Sequence, residues 1–458
     1  MNARLLPSVA AMFAACAALL AVQQQSPAPP VAAPPSQSPS EISLIISAEI
    51  GAAPRYAVPD FIAGSSDAET LAIASTLGEV LWDDLAFERE FYLIPRDTYR
   101  TIPAARSVAD VPLDRWRELG ADGLVIGTVQ KAGTTITVDV RLINVPTHQV
   151  VFAKEYSGSA GNPRLYAHTI ADEIHQQQRG LQGVARTKLA FSSDRDGERV
   201  GGSIEQRSVK EIYIGDYDGA NQRRVTVNRL LNIMPVWSPD GRAIAYTSYR
   251  RGFPDIVISM IYQGTMETPG DGKTNNWLPV YSPDGSRICF TSNRDGNSEL
   301  YVMNRDGSAV RRLTNNRAID TTPTWSPTGT QIAFTSDRSG SPQIWVIDVD
   351  GLNTRQLTHE SYCDRATWSP APFNEIAYAS RTGSGYDIKI LDLASGAIRQ
   401  ITFGEGSNES PSYAPNGRHL AFTSTRAGRT QIFTIARDGK GLRQITRTGN
   451  NYTPNWSR

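Results

Sequence analysis

The chain has 458 residues with 46 Lys+Arg against 46 Asp+Glu, so no net charge draws it to nucleic acid or to an anionic membrane surface. Its three cysteines are too few for a disulfide framework. The length suits one repeat array plus a smaller domain.

Residues 1–22 read as a secretory signal, with Arg4 as the basic start and an apolar run from Leu5 to Val22 interrupted by Pro7 and Ser8. A membrane anchor is the alternative for a run of this length, but Pro7 and the many alanines argue against a stable span, and none is expected after signal removal. Cys16 reads as part of this apolar run, with lipidation the competing reading. Residues 23–40 are rich in Gln, Pro and Ser, have little to bury, and form a linker.

A mixed α/β domain is expected over residues 41–185. Ile42–Ile46, Tyr56–Val58, Phe91–Ile94, Gly123–Val129, Ile136–Ile143 and Gln149–Tyr156 read as strands. Ile136, Val138, Val140 and Leu142 share one face by strand alternation. Apolar residues at helical spacing between Asp67 and Leu85 predict a helix capped by Ser66 or Asp67. Leu113–Leu119 is a short helix ended by Gly120, and Pro163–Gln178 is a helix with proline in its first turn. His168 and His175 share a face of that last helix. Their spacing of seven and the lack of a third ligand nearby in sequence argue against a metal pair, so no metal and no cofactor are expected.

Residues 186–458 carry a repeat. Trp237, Tyr281, Trp325, Trp368, Tyr413 and Trp456 recur at intervals of 44, 44, 43, 45 and 43 residues, mostly followed by a Ser-Pro-Asp-Gly-like turn. Six copies of a second motif follow the pattern of Ile332-Ala-Phe-Thr-Ser-Asp-Arg338. A period near 40–45 residues with several strands per unit predicts a six-bladed β-propeller. Proline presets φ in the turn and glycine takes its positive-φ corner. The Asp-x-Asp-Gly turns, such as Asp216–Gly219 and Asp348–Gly351, share Asp spacing with a calcium loop but lack its bidentate Glu, and read as turn chemistry. The array starts at Lys188 without an inner strand, and Asn451–Ser457 is an inner strand without a successor. The two are expected to complete one blade and remove an exposed edge. Cys289 falls in a strand and Cys363 in a loop, both as free thiols.

Five residues before each recurring aromatic stand Asn232, Asn276, Asp320, Cys363, Asn408 and Asn451, with Asp364 following the cysteine. They are expected in the loops entering the inner strands, ringing one mouth of the channel. Either they shape a bend, or they form a polar ring that meets a partner or a cation. The Ser-Pro-Asp-Gly turns fall on the opposite face.

Ile42–Ile50, Gly120–Gly127, Tyr166–Glu173 and Ile214–Gln222, together with an α/β region before six such blades, resemble the TolB family of the Tol–Pal system of Gram-negative envelopes. The resemblance covers residues 41–458 and implies a periplasmic, non-enzymatic protein. It would link TolA to the outer-membrane lipoprotein Pal, in support of envelope integrity and outer-membrane constriction at division. It implies that Asn275, Asn276 and Thr321 match positions that meet Pal at the channel mouth, beside the ring of Asn232, Asp320, Asp364, Asn408 and Asn451. It implies that the segment Glu41, Ile42, Ser43, Leu44, Ile45 and Ile46, or the linker before it, engages TolA. Two alternatives stay open. One is a similar propeller that binds another envelope peptide or glycan. The other is a propeller-type hydrolase, against which stands the lack of a Gly-x-Ser-x-Gly elbow.

Overall fold

The computed structural model describes residues 53–198 and 209–458. The proposed signal, the linker, the strand expected at Ile42–Ile46 and the segment Glu41–Ile46 lie outside the described residues.

The first domain is built on β1 (Arg55–Ala57), β2 (Ile62–Ala63), α1 (Ala68–Glu88), β3 (Tyr92–Leu93), α2 (Leu113–Glu118), β4 (Gly123–Ala132), β5 (Thr135–Asn144), β6 (Gln149–Ser159) and α3 (Pro163–Arg179). Its sheet runs β3-β1-β4-β5-β6, with β2 beside β4. β1 lies parallel to β3 and β4, and β4, β5 and β6 form an antiparallel meander. The alternation of β5 holds: Ile136, Val138, Val140 and Leu142 are buried beneath α1 and α3. Trp116 of α2 closes the other face with Leu124 and Ile126.

The helix ends follow capping chemistry. Asp67 accepts from the backbone N–H of Glu69 and Thr70 at 3.1 and 2.9 Å, satisfying donors that the first turn leaves free. α3 starts on Pro163 and stops at Gly180, whose φ of 64° continues the chain in the left-handed region that glycine adopts without strain.

The second domain is a six-bladed propeller of four-stranded antiparallel sheets. The first blade holds β7 (Lys188–Ser193), β8 (Glu211–Asp216) and β9 (Arg223–Arg224). Its inner strand is Asn451–Trp456, which pairs antiparallel with β7 through Asn451↔Ser193 and Trp456↔Leu189. The last strand therefore closes the wheel as the repeat pattern requires. The Trp456 indole N–H donates to Thr187 Oγ1 at 2.7 Å, and Ser457 Oγ accepts from the Lys188 N–H at 2.9 Å. Apolar clusters form between neighbouring blades. Trp325, for example, packs with Leu300 and Val302 of the blade before it.

Two expectations change here. Cys363 opens an inner strand (Cys363–Trp368) and is buried there, rather than sitting in a loop. The ring residues likewise are the first residues of their inner strands, not loop residues: Asn232–Trp237, Asn276–Tyr281, Asp320–Trp325, Asn408–Tyr413 and Asn451–Trp456 all begin on them. These inner strands carry a register shift that begins after the second residue, so the irregularity lies inside the strand and not at the ring residue that opens it.

The α/β domain packs on the face of the Ser-Pro-Asp-Gly turns, against the first and last blades. Its core is continuous with Leu189, Phe191, Tyr217, Ala414 and Trp456 of the propeller. Glu88 at the end of α1 receives Arg418 at 2.5 Å and the Asn416 amide at 3.2 Å, both from the last blade. The opposite channel mouth is left uncovered by the described residues.

Candidate functional site

The uncovered mouth is built from six equivalent strand entrances. At each, the first side chain turns into the blade. Asn232, Asn276, Asp320, Asn408 and Asn451 are at most 1% exposed. The four asparagine amides among them stitch one blade to the next. Asn276 Nδ2 donates to Asp255 Oδ1 of the preceding blade at 3.1 Å, while its Oδ1 accepts from Arg294 of its own blade at 2.9 Å. Asn408 does the same with Asp387 (3.0 Å) and Arg426 (2.9 Å), and Asn451 with Gln431 (2.9 Å) and Arg195 (2.8 Å). Asn232 donates to Glu211 at 3.0 Å and accepts from Ser248 at 2.7 Å. Asp320 accepts from Arg338 at 2.6 Å. The linked arginines lie on aromatic rings of the same blade, Arg294 at 4.8 Å from the Tyr301 centroid and Arg426 at 5.3 Å from Phe433.

The reading of these five as open polar groups at the mouth is therefore corrected. Buried amides with two partners lower the energy of the blade junction, and exposing them would take one donor from each of the buried carboxylates Glu211, Asp255 and Asp387. What does reach the mouth is the set around them. Asn275, Thr321 and Asp364 are half-buried. Asp364 Oδ1 accepts from Thr335 at 2.8 Å and Thr322 at 3.1 Å of the neighbouring blade.

Two positions past each buried residue stands a ring that sequence reasoning missed: Met234, Leu278, Thr322, Arg365, Ser410 and Thr453. All six hold φ between 49° and 57°, a left-handed conformation uncommon for residues with a side chain. They line a cavity of about 140 Å³ inside the channel. Arg365 crosses it, its Nη1 lying 3.2 Å from Met234 Sδ of the opposite blade. A signal existed, because five of the six precede proline at a fixed offset: Pro235, Pro279, Pro323, Pro411 and Pro454.

The far end of the channel holds a cavity of about 170 Å³ bordered by Trp237, Tyr281, Trp325, Trp368, Tyr413 and Trp456. These aromatics also pack between blades and set the spacing of the wheel. The Asp-x-Asp-Gly turns behave as turns: Asp306 accepts from the Ser308 N–H at 2.9 Å, and Asp350 from the Leu352 N–H at 2.9 Å.

The two histidines of α3 are packed, not solvent-facing. His175 lies against Phe91 with the rings tilted at 56°, and burial, with Arg418 and Arg179 adding to it, pulls its pKa down to about 4. His168 Nδ1 meets Asp84 at 2.8 Å. Burial pushes the Cys363 thiol up to about 11, which keeps it protonated and unreactive at neutral pH.

The chain is a two-domain propeller protein: a closed six-bladed wheel with an α/β domain on one face and a solvent-facing mouth on the other. A family model described as the TolB β-propeller domain matches residues 175–386 and 362–458, and one described as the TolB amino-terminal domain matches residues 42–151. The chain belongs to the TolB family.

Among curated relatives, the Tol-Pal system protein TolB of Geobacter sulfurreducens is 37% identical over 186 residues, covering 41% of this chain and 40% of that one. That of Desulfosudis oleivorans is 34% identical over 205 residues, 44% of each chain. The chain thus spans less than half the length of these curated relatives. The crystal structure of TolB from Acinetobacter baumannii aligns with a TM-score of 0.75 at 26% identity, over 89% of this chain and 97% of that one.

Proposed function

We propose that the protein is a non-enzymatic component of the Tol–Pal system. It acts in the periplasm as a platform linking TolA to the lipoprotein Pal, in support of envelope integrity and constriction at division. The observation that carries this reading is the order of parts: an amino-terminal TolB domain followed by a six-bladed propeller closed by its last strand, a layout shared with the A. baumannii protein over 97% of its length. Residues 1–22 act as the export signal.

Pal docks at the uncovered mouth. Asn275, Thr321 and Asp364 make contact, while Asn232, Asn276, Asp320, Asn408 and Asn451 hold the surface in shape from behind. The buried, doubly bonded residues behind that surface favour binding, since their side chains are already held before association. The segment Glu41–Ile46 engages TolA. The protein performs no catalysis in this scheme.

The test is titration of the purified protein with the soluble domains of Pal and TolA. Thr321→Arg and Asp364→Arg are expected to weaken Pal by about tenfold or more, the scale of an interface residue worth above ~1.4 kcal/mol. The melting temperature of Thr321→Arg should stay near that of the unaltered protein, whereas Asp364→Arg also gives up the bonds from Thr335 and Thr322 and should melt lower. A protein that ignores Pal but retains another envelope peptide or glycan would overturn the assignment of partner.

A further inference from the structure

The Asp-x-Asp-Gly turn of the first blade differs from its equivalents in one respect: α3 lies over it. His168 of α3 is 3% exposed, and its Nε2 has no hydrogen-bond partner. That nitrogen lies 3.9 Å from Asp216 Oδ2, too far for a hydrogen bond. One ligand atom from each of His168, Asp216 and Asp218 falls within 4.8 Å of the others. Ligands held at 2.0–2.2 Å from one Zn²⁺ ion sit about 3–4 Å apart, so this spacing suits a shared cation better than direct contact.

We propose that His168, Asp216 and Asp218 form a site for a divalent transition-metal ion, Zn²⁺ first, which staples the α/β domain to the propeller. The outer contacts support it. Asp84 Oδ2 accepts from His168 Nδ1 at 2.8 Å, which fixes the ring and turns the Nε2 lone pair toward the two carboxylates. Asp84 Oδ1 in turn accepts from the Tyr217 hydroxyl at 2.7 Å, so the residue between the two ligand aspartates holds the carboxylate that orients the histidine.

Lys188 reaches Asp216 Oδ1 at 2.6 Å, and Arg164 pairs with Asp218. Against three carboxylates these two cations leave one negative charge when the imidazole is neutral. An imidazole with two carboxylates, and a water at the fourth position, suits Zn²⁺ better than Ca²⁺ or Mg²⁺, which take oxygen ligands alone. The chain holds five histidines, so zinc bound elsewhere is the competing result that variants must separate.

The experiment uses the full chain stripped of metal with chelator, titrated with Zn²⁺ by calorimetry and by thermal shift. One equivalent is expected to bind and raise the melting temperature. His168→Gln should lower the affinity by about 100-fold or more, and Asp84→Asn, which removes only the outer contact, by about 10–100-fold. Asp218→Asn, on the half-buried turn, carries the same comparison if His168→Gln fails to fold, and Co²⁺ bound to the unaltered protein should give the visible bands of a four-coordinate nitrogen–oxygen site. Equal zinc affinity in the unaltered protein and in either ligand variant would overturn the proposal. So would the lack of a saturable single site, which would leave a proton on His168 as the cation between these carboxylates.

Discussion

The two ends of the propeller channel are made from the same six strands and differ in what their symmetry serves. At the uncovered mouth the repeats stay nearly equivalent: a buried amide or carboxylate at five of six strand entrances, then a left-handed residue, then in most blades proline. At the other end the first and last blades depart from the pattern and receive a domain. Asn416 and Arg418 take the place where Ser-Pro-Asp-Gly turns elsewhere meet solvent, and both bind Glu88. Repetition yields a stiff ring without needing a neighbour. Docking a domain requires residues that break the repeat.

The largest effect that would break this comparison is at closure. Trp456→Ala removes a nearly buried indole that packs in the shared core and binds Thr187. It is expected to destabilise by about 3–5 kcal/mol, read as a lower denaturant midpoint, and to loosen both ends at once. A midpoint unchanged by this substitution would mean that the terminal strand does not hold the wheel.

The mouth stitches come next. Asn408→Ala leaves Asp387 and Arg426 short of a partner inside the blade junction. A loss of about 1–3 kcal/mol is expected, with amide exchange rising at the junction of the last two blades and not at the α/β domain.

Acid should act on the docked end. His175 and His419 are buried neutral, with pKa values pulled down by burial and by Arg418 to about 4 and about 3. The unfolded chain takes up those protons near pH 6.5, so their contribution is present above that value and is lost as pH falls toward 4. Glu88 has the opposite sign. Burial raises it to about 7 against the pull of Arg418, so its contribution is full at low pH and is lost as pH rises from about 4.5 through 7. Asp83 and Asp84 of the same helix are also raised by burial and share the sign of Glu88, so the histidine part is isolated residue by residue: each histidine alone loses up to about 1.4 kcal/mol per pH unit on acidification below pH 6.5. His419→Gln should remove its share, so that the melting temperature falls less, or rises more, on acidification than in the unaltered protein. A profile parallel to that of the unaltered protein would remove His419 from this account.

The smallest effect sharpens the contrast. Arg89 and Asp438 join the domain to the last blade at 2.9 Å, but both are largely solvated, and Arg89→Ala is expected to cost under about 1 kcal/mol. Removing Arg418, which is half-buried and leaves the buried Glu88 without its cation, should cost several times more in the same thermal scan.

Much of the architecture was legible because its signals are local. The 43–45-residue spacing of Trp237, Tyr281, Trp325, Trp368, Tyr413 and Trp456 counted the blades, and the strand left over at Asn451–Trp456 matched the one missing before β7. Asp67 and Pro163 marked helix starts through backbone groups a few residues away. The ring of Asn232, Asn276, Asp320, Asn408 and Asn451 was found by period, but its burial was not. Whether an asparagine faces solvent or the next blade depends on how closely the blades approach once the wheel shuts.

Periodicity and turn chemistry in the chain thus determined the number of blades, their closure and the helices of the first domain, since each rests on backbone geometry within a few residues. Tertiary structure alone decided that the ring amides stitch blades, that Arg365 spans the channel to Met234, and that His168 faces Asp216 and Asp218. These contacts join residues far apart in the chain, and no local pattern encodes a distance that exists only after two surfaces have packed.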